Sequence, residues 1–254
     1  GGGRSGVRVE RLDWEGGVVW EFELANGQYR LHHDIAVLPN GNVLVLSWEK
    51  LTHDELLAAG RSPDTLPEDG LWAETIIELK PVGKSHSEVV WQWRLADHLI
   101  QDIDSSLPNF GVIADHPERV NINYNKGGST RSDWVHANAI NYSEKWDQIV
   151  ISAHAFNELW VIDHSTTMAE AAGKEGGRLG KGGDLVYRWG NPLTYNQGDV
   201  SDQRLFNQHD VEWIPGLFPG ADKLLLFNNG VGRPDGSYST VEEIAPPIDA
   251  DGNY

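Results

Sequence analysis

The chain has 254 residues, enough for one all-β domain with a packed core or for a large part of a bigger one. Its 38 acidic against 20 basic residues leave a formal charge of -18, which repels phosphate backbones and anionic membrane surfaces at long range, so nucleic acid is not an expected partner. Cysteine is absent, which rules out disulfides, thiolate metal sites and a cysteine nucleophile, and leaves His and carboxylates as the ligands any metal would need.

Salt screens surface charge beyond about 8–10 Å, so a small anion can still bind where the local surroundings are basic. No apolar run approaches the ~18–20 residues of a membrane span. No charged-then-apolar leader precedes the opening "GGGRSG", and without an initiator methionine the chain reads as processed or as part of something longer.

In chain order, "GGVVWEFEL" (16–24) is the first of three related stretches, followed by "SEVVWQWRL" (87–95) and "GGDLVYRWG" (182–190). Each has a polar lead and then aliphatic and aromatic residues in partial alternation, the pattern of a half-buried strand. A second set interleaves with it: "HHDIAVLPNGNVLVLSW" (32–48), "HANAINYSEKWDQIVISA" (136–153) and "HDVEWIPGLFPGADKLLLF" (209–227). Each starts at a histidine, turns at Pro/Asn/Gly or Ser/Glu/Lys and resumes as an aliphatic strand, so each predicts a hairpin. A third strand follows in "ETIIELK" (74–80), "NELWVID" (157–163) and "STVEEI" (239–244). Two short helices are expected in loops, at 51–60 and 166–174, and 99–133 reads as a long polar connection without a strong pattern.

The recurring order of histidine strand, hairpin partner, third strand and Trp-rich strand predicts an all-β fold of four-stranded antiparallel blades, a β-propeller. A sandwich of unrelated strands is the alternative. Residues 1–24 would end one blade, 33–95 and 136–190 would be whole blades, and 209–254 would begin an incomplete one, all within a single domain, 1–254. Propellers close with about 4–8 blades, so the chain is expected to be part of a longer propeller or to close through partners.

Equivalent positions of successive blades surround one axis, so His33, His136 and His209 are expected to converge. Imidazole titrates near neutrality and serves as nucleophile, acid, base or metal ligand; it also serves structurally, tying strands and loops together. Arg131, Arg204, Asn228, Asn229 and Arg233 are the nearby candidates for an anion. Trp20, Trp91, Trp93 and Trp189 read as packing residues, whereas Trp134 and Trp213, close to the histidines, are candidates to face an aromatic substrate.

The ordered set "HHDIAVLPNGNVLVL", "DWVHANAINYSEKWDQIVISA", "GDLVYRWGNP" and "NQHDVEWI" followed by "LLLFNNGVGR", over roughly residues 14–245, resembles the bacterial aryl-sulfate sulfotransferase family. The resemblance implies a six-bladed propeller that moves a sulfuryl group from a phenolic sulfate ester to another phenol through a sulfohistidine, without a nucleotide donor. Carried over by motif, His209 of "QHD" would be the nucleophile, with His33 (rather than its neighbour His32) and His136 as further catalytic histidines. Arg233, Asn229, Trp134 and Trp213, chosen for their chemistry and their nearness to the histidines and not by motif, would bind substrate. At the place of the family's catalytic arginine this chain has His154, in "SAHAFNE". No cofactor or resident metal is implied. Partners would be the small phenolic sulfate and phenol, with no nucleic acid and no membrane insertion and with homo-oligomerisation left open. Localisation would be periplasmic or secreted. Two other readings remain: a non-catalytic propeller in a binding or structural role at the cell surface, and a histidine-based zinc or copper site.

Overall fold

The structure, a computed structural model, describes residues 8–124 and 132–254. The first Trp-rich stretch forms β2 (Val18–Glu23), paired antiparallel with β1 (Arg8–Leu12) as a hairpin. Four strands then make one antiparallel sheet in chain order: β3 (Tyr29–Val37), β4 (Val43–Leu51), β5 (Leu71–Val82) and β6 (His86–Arg94). The β3–β4 turn needs a left-handed residue, which Gly41 supplies at φ +85°. Strand β4 is buried along almost all of its length, as expected of a near-continuous apolar run packed on both faces. The expected helix at 51–60 is α1 (His53–Ala58), started by a capping box in which Thr52 and Glu55 satisfy each other's backbone N–H.

The connection from 99 onward is more ordered than its polarity suggests. Within it β7 (Leu99–Ile100) and β8 (Val120–Asn121) pair in parallel, and Ile113 and Ile122 are buried beside them. Its apolar residues are spaced too irregularly to declare a helix or strand; Ile113, Val120 and Ile122 are buried, whereas Ile103, Phe110 and Val112 are exposed. The second four-stranded antiparallel sheet follows, with β9 (Ala137–Ser143), β10 (Gln148–Ala153), β11 (Glu158–Asp163) and β12 (Tyr187–Trp189). Helix α2 (Met168–Ala171) lies between its last two strands, again behind a capping box, Thr167 with Glu170. The third sheet has three strands, β13 (His209–Trp213), β14 (Leu224–Asn228) and β15 (Thr240–Ile244). The fold is therefore all-β, with several antiparallel sheets and few helices. Among the described residues no sheet closes on itself and the sheets complete no ring.

Apolar residues collect between neighbouring sheets. Leu44, Leu46 and Ile76 of the first sheet pack with Ile149, Ile151 and Trp160 of the second. Val150 and Val161 of the second pack with Val211, Leu224 and Leu226 of the third, and Trp20 covers the other face of the first sheet at Val45 and Ile77. The packing tryptophans also carry hydrogen bonds across these gaps. Trp91 donates to Thr166 Oγ1 (3.0 Å) and Trp93 to the Gly183 carbonyl (2.7 Å), tying β6 to the loops around α2. Gly183 tolerates no side chain there, since a Cβ would lie 2.0 Å from the Ala171 carbonyl oxygen.

A charged clasp spans the first and second sheets. His164 places Nδ1 2.8 Å from Asp147 Oδ1 and Nε2 3.0 Å from Glu78 Oε2, with its ring edge against Trp91 and Tyr142. Burial acts to lower its pKa, but the hydrogen bonds and charges of Asp147 and Glu78 outweigh burial and raise it to about 9. A folded-state pKa above the unfolded one gives stability that is fully present below the unfolded pKa of about 6.5 and is lost as pH rises through about 9. Between pH 6 and pH 10 the wild type should therefore lose on the order of 2 kcal/mol more unfolding free energy than His164→Gln. Urea denaturation of the two proteins across that range checks this, and parallel pH profiles would contradict it.

Candidate active site

The first strands of the three larger sheets lie side by side, and side chains stitch them where no backbone ladder runs. Asp34 on β3 accepts from the Ile140 N–H (3.0 Å) and Glu74 on β5 from the Ala137 N–H (2.8 Å). Farther along, Asn138 donates to the Gln208 carbonyl (2.9 Å) and Asn141 accepts from the Trp213 N–H (3.1 Å). Gln208 is itself fixed by bonds from its amide to Ser152 Oγ and to the Glu158 carbonyl. The residue before His209 is thus locked into the second sheet.

Each first strand is irregular beside its histidine. Pairing shifts between Leu31 and Ile35, opposite Ile151 to Ala153, and between His209 and Glu212. Three non-glycine residues there adopt left-handed backbone: His33 (φ 47°), His136 (φ 54°) and Asp210 (φ 59°). Such conformations cost about 1–3 kcal/mol each and cluster where a side chain has to be aimed. The registers differ, so the three histidines are not at strictly equivalent strand positions. Their rings nevertheless meet.

The result is a row of imidazoles. The His33 and His136 ring centroids are 4.5 Å apart, those of His136 and His154 5.2 Å, and those of His154 and His209 5.1 Å. His154 reaches the row from a 3₁₀ turn, His154–Phe156, that follows β10 directly. It thus occupies the middle of the row, between His136 and His209.

Neighbouring groups set which nitrogens carry protons. His209 Nδ1 lies 2.6 Å from Asn229 Oδ1; an amide oxygen only accepts, so Nδ1 is the donor and, in the neutral ring, Nε2 keeps its lone pair. His136 Nδ1 bonds to the Asp133 carboxylate, which favours a proton on that nitrogen too. Asn207 Nδ2 donates to His154 Nε2 at 3.3 Å. His33 is partly open to solvent, yet burial first, and the neighbouring His32 and His136 next, lower its pKa to about 4, with Asp133 opposing and His209 adding to the effect.

Other predicted site residues fall elsewhere. Trp134 and Trp213 are only 4% and 6% exposed, so neither presents a face to a substrate. Trp134 packs edge-on to Phe156, and Trp213 lies 5.1 Å from the Trp146 ring. Both sit in the apolar layers between sheets, Trp213 on the inward face of β13 and Trp134 in the segment that leads into β9. Arg233 bonds through Nε to Asp235 Oδ1 (2.7 Å), its guanidinium lies 4.0 Å over Tyr238, and its contacts are within its own loop. Arg204 bonds to the Ser201 carbonyl on the surface, and Asn228 is a buried bridge between the Phe206 N–H and the Arg204 carbonyl. Arg131 lies outside the described residues. Sequence reasoning missed Asp133 and Asn207, the partners of two imidazoles, because nothing in a sequence marks a partner three residues away or on another sheet.

The arylsulfotransferase (ASST) family model matches residues 3–245. The chain belongs to the arylsulfotransferase family. No curated protein matches it. Among solved structures, a protein of unknown function from Bacteroides caccae is similar at 12% identity and a TM-score of 0.34, over 97% of this chain and 73% of that one. Among the described residues, no three or more His, Asp or Glu side chains are grouped so as to hold a metal ion.

Crowding by His136 accounts for part of the low His33 pKa. His136→Ala should move the His33 titration midpoint from about 4 toward the ordinary histidine value of about 6.5. Histidine NMR titration of both proteins reads this directly, and an unmoved midpoint would contradict the arrangement.

Proposed function

We propose that this arylsulfotransferase-family chain is a nucleotide-independent aryl-sulfate sulfotransferase working through a sulfohistidine on His209. The observation that carries the reading is the His209–Asn229 bond at the end of the imidazole row, which in the neutral ring leaves Nε2 with its lone pair beside His154. In the first half-reaction the Nε2 lone pair forms a bond to sulfur while the bond from sulfur to the aryl oxygen breaks, and the departing phenolate takes a proton from a neighbouring imidazole. In the second half-reaction the acceptor phenol gives up its proton, its oxygen bonds to sulfur, and the N–S electron pair returns to His209.

The three sulfuryl oxygens carry charge throughout and need donors. His154, next to His209 in the row, and His136 beyond it are the groups placed to supply them. His154 stands where the family resemblance places an arginine, so its donor strength depends on its protonation in a way that a guanidinium's would not. Asn229 acts here on His209 instead of on substrate.

We also propose that the three larger sheets are successive blades of a β-propeller, six-bladed in the family. The side-by-side packing of β3, β9 and β13 supports this, because propeller blades meet along their first strands. A periplasmic or secreted location, small phenolic partners and the absence of a cofactor go with the same reading. A non-catalytic propeller is the second reading, favoured by His154 at the arginine position and by the engagement of Arg233 with Asp235.

Brief exposure to a chromogenic phenyl sulfate without acceptor should release phenol and add one sulfuryl group to the intact protein. His209→Ala should lose both, with turnover down roughly 10³-fold or more. A folded wild type that shows neither phenol release nor the mass increment would shift the assignment to the non-catalytic module.

A further inference from the structure

Behind the imidazole row lies a buried pair that the proposed chemistry leaves unused. His32 is 3% exposed, and its Nδ1 lies 2.9 Å from Nδ1 of His33. On its other side, His32 Nε2 lies 2.9 Å from Glu74 Oε2, with both side chains wholly shielded from solvent. The approach is off the hydrogen-bond axis, and neither atom has another hydrogen-bond partner. Glu74 Oε1 is held by the Ala137 N–H, so the carboxylate is fixed at one oxygen and directed at His32 by the other. The His32 ring stacks on Trp48, with centroids 4.2 Å apart and planes within 13°. An aromatic face and a carboxylate both attract a cation at that position, against the cost of burying it.

We propose that Glu74 and His32 are positioning residues that hold the catalytic proton for His33, so that the charge rests on His32 against Glu74 and not on His33. The inference rests on the sulfotransfer reading for its role, but its proton geometry is independent of it. Two nitrogens 2.9 Å apart share one proton. With Glu74 ionised, its charge 2.9 Å from Nε2 favours the His32 tautomer that carries the proton there. In the neutral state His32 Nδ1 is then the acceptor, His33 Nδ1 carries the shared proton, and His33 Nε2 is the free base.

The cycle balances. When the acceptor phenol attacks, its proton goes to His33 Nε2, the His33 Nδ1 proton passes to His32 Nδ1, and His32 becomes an imidazolium paired with Glu74. Meanwhile the O–S bond forms, the N–S bond breaks and its electron pair returns to His209 Nε2. In the donor half-reaction the same two protons move back, His32 Nδ1 to His33 Nδ1 and His33 Nε2 to the leaving phenolate. The pair holds that proton in the free enzyme, is without it while His209 carries the sulfuryl group, and needs no outside co-reactant.

The test combines a spectroscopic and a kinetic reading on the full chain. With ¹⁵N-labelled histidine, wild-type His33 should carry its proton on Nε2 while the pair holds the extra proton, and on Nδ1 once rising pH removes it. Glu74→Gln, which keeps an amide oxygen for the Ala137 N–H, and His32→Phe, which keeps the ring on Trp48, should each abolish that exchange of tautomers. With 4-nitrophenyl sulfate as donor, both variants should slow transfer to weakly acidic phenols about 10–100-fold while changing transfer to strongly acidic phenols little. An exchange of His33 tautomers that persists in both folded variants would overturn the proposal. Tautomers that respond as expected in a protein with no sulfotransfer would uphold the proton pair and refute the catalytic reading instead.

Discussion

Everything in this molecule depends on how separate sheets are joined along their first strands without a shared backbone ladder. β3, β9 and β13 approach one another with unpaired main-chain groups, and burying such groups is expensive unless something bonds to them. Asp34, Glu74, Asn138 and Asn141 do this with side chains. The apolar layers then close the wider gaps outside this seam. The seam is therefore polar, rigid and partly open to solvent, which suits it to small-molecule chemistry better than the aliphatic layers around it.

The histidines use that seam in a consistent way. Irregular pairing and left-handed backbone at His33, His136 and Asp210 lift the strands out of regular pleat, and the imidazoles come together although 176 positions separate the numbers 33 and 209. Carboxylates and amides behind the rings then fix the tautomers. One residue can serve both purposes: Glu74 closes a backbone N–H with one oxygen and faces His32 with the other. Away from the seam the same economy appears in Glu158, fully buried and bonded to Arg188 and to Trp160 Nε1. Burial raises the Glu158 pKa, with Arg188 acting against that rise. This ion pair braces β11 against β12.

Much of the architecture was readable from residue patterns. Histidine, apolar run, turn residues and a second aliphatic run predicted all three hairpins, because side-chain alternation and turn chemistry are local properties. The S/T-x-x-E pattern at Thr52 and Thr167 marks both helices. Convergence of His33, His136 and His209 was expected from equivalent repeat positions, and the rings meet although their strand positions differ; His154 came from motif position. The tryptophans near the histidines were misjudged: closeness in sequence does not say which face of β13 Trp213 occupies, and Trp134 precedes β9, where no strand alternation applies. Glu74 was hidden for a related reason, since an acidic residue in "AETIIELK" reads as the solvent side of a strand until a neighbouring sheet covers it. Asn229 drew notice as an anion ligand, but only the folded hairpin brings its oxygen onto His209.

A crystal structure of the wild-type protein exposed to an aryl sulfate in the absence of acceptor tests the central claim most directly. The account predicts a sulfuryl group bonded to Nε2 of His209, with Nδ1 still on Asn229 and the His136 and His154 rings turned toward its oxygens. A sulfuryl group on another side chain would contradict it. So would an intact ester lodged away from the row, for instance in the cleft of about 490 Å³ bordered by Asn121, Asn123 and Tyr124.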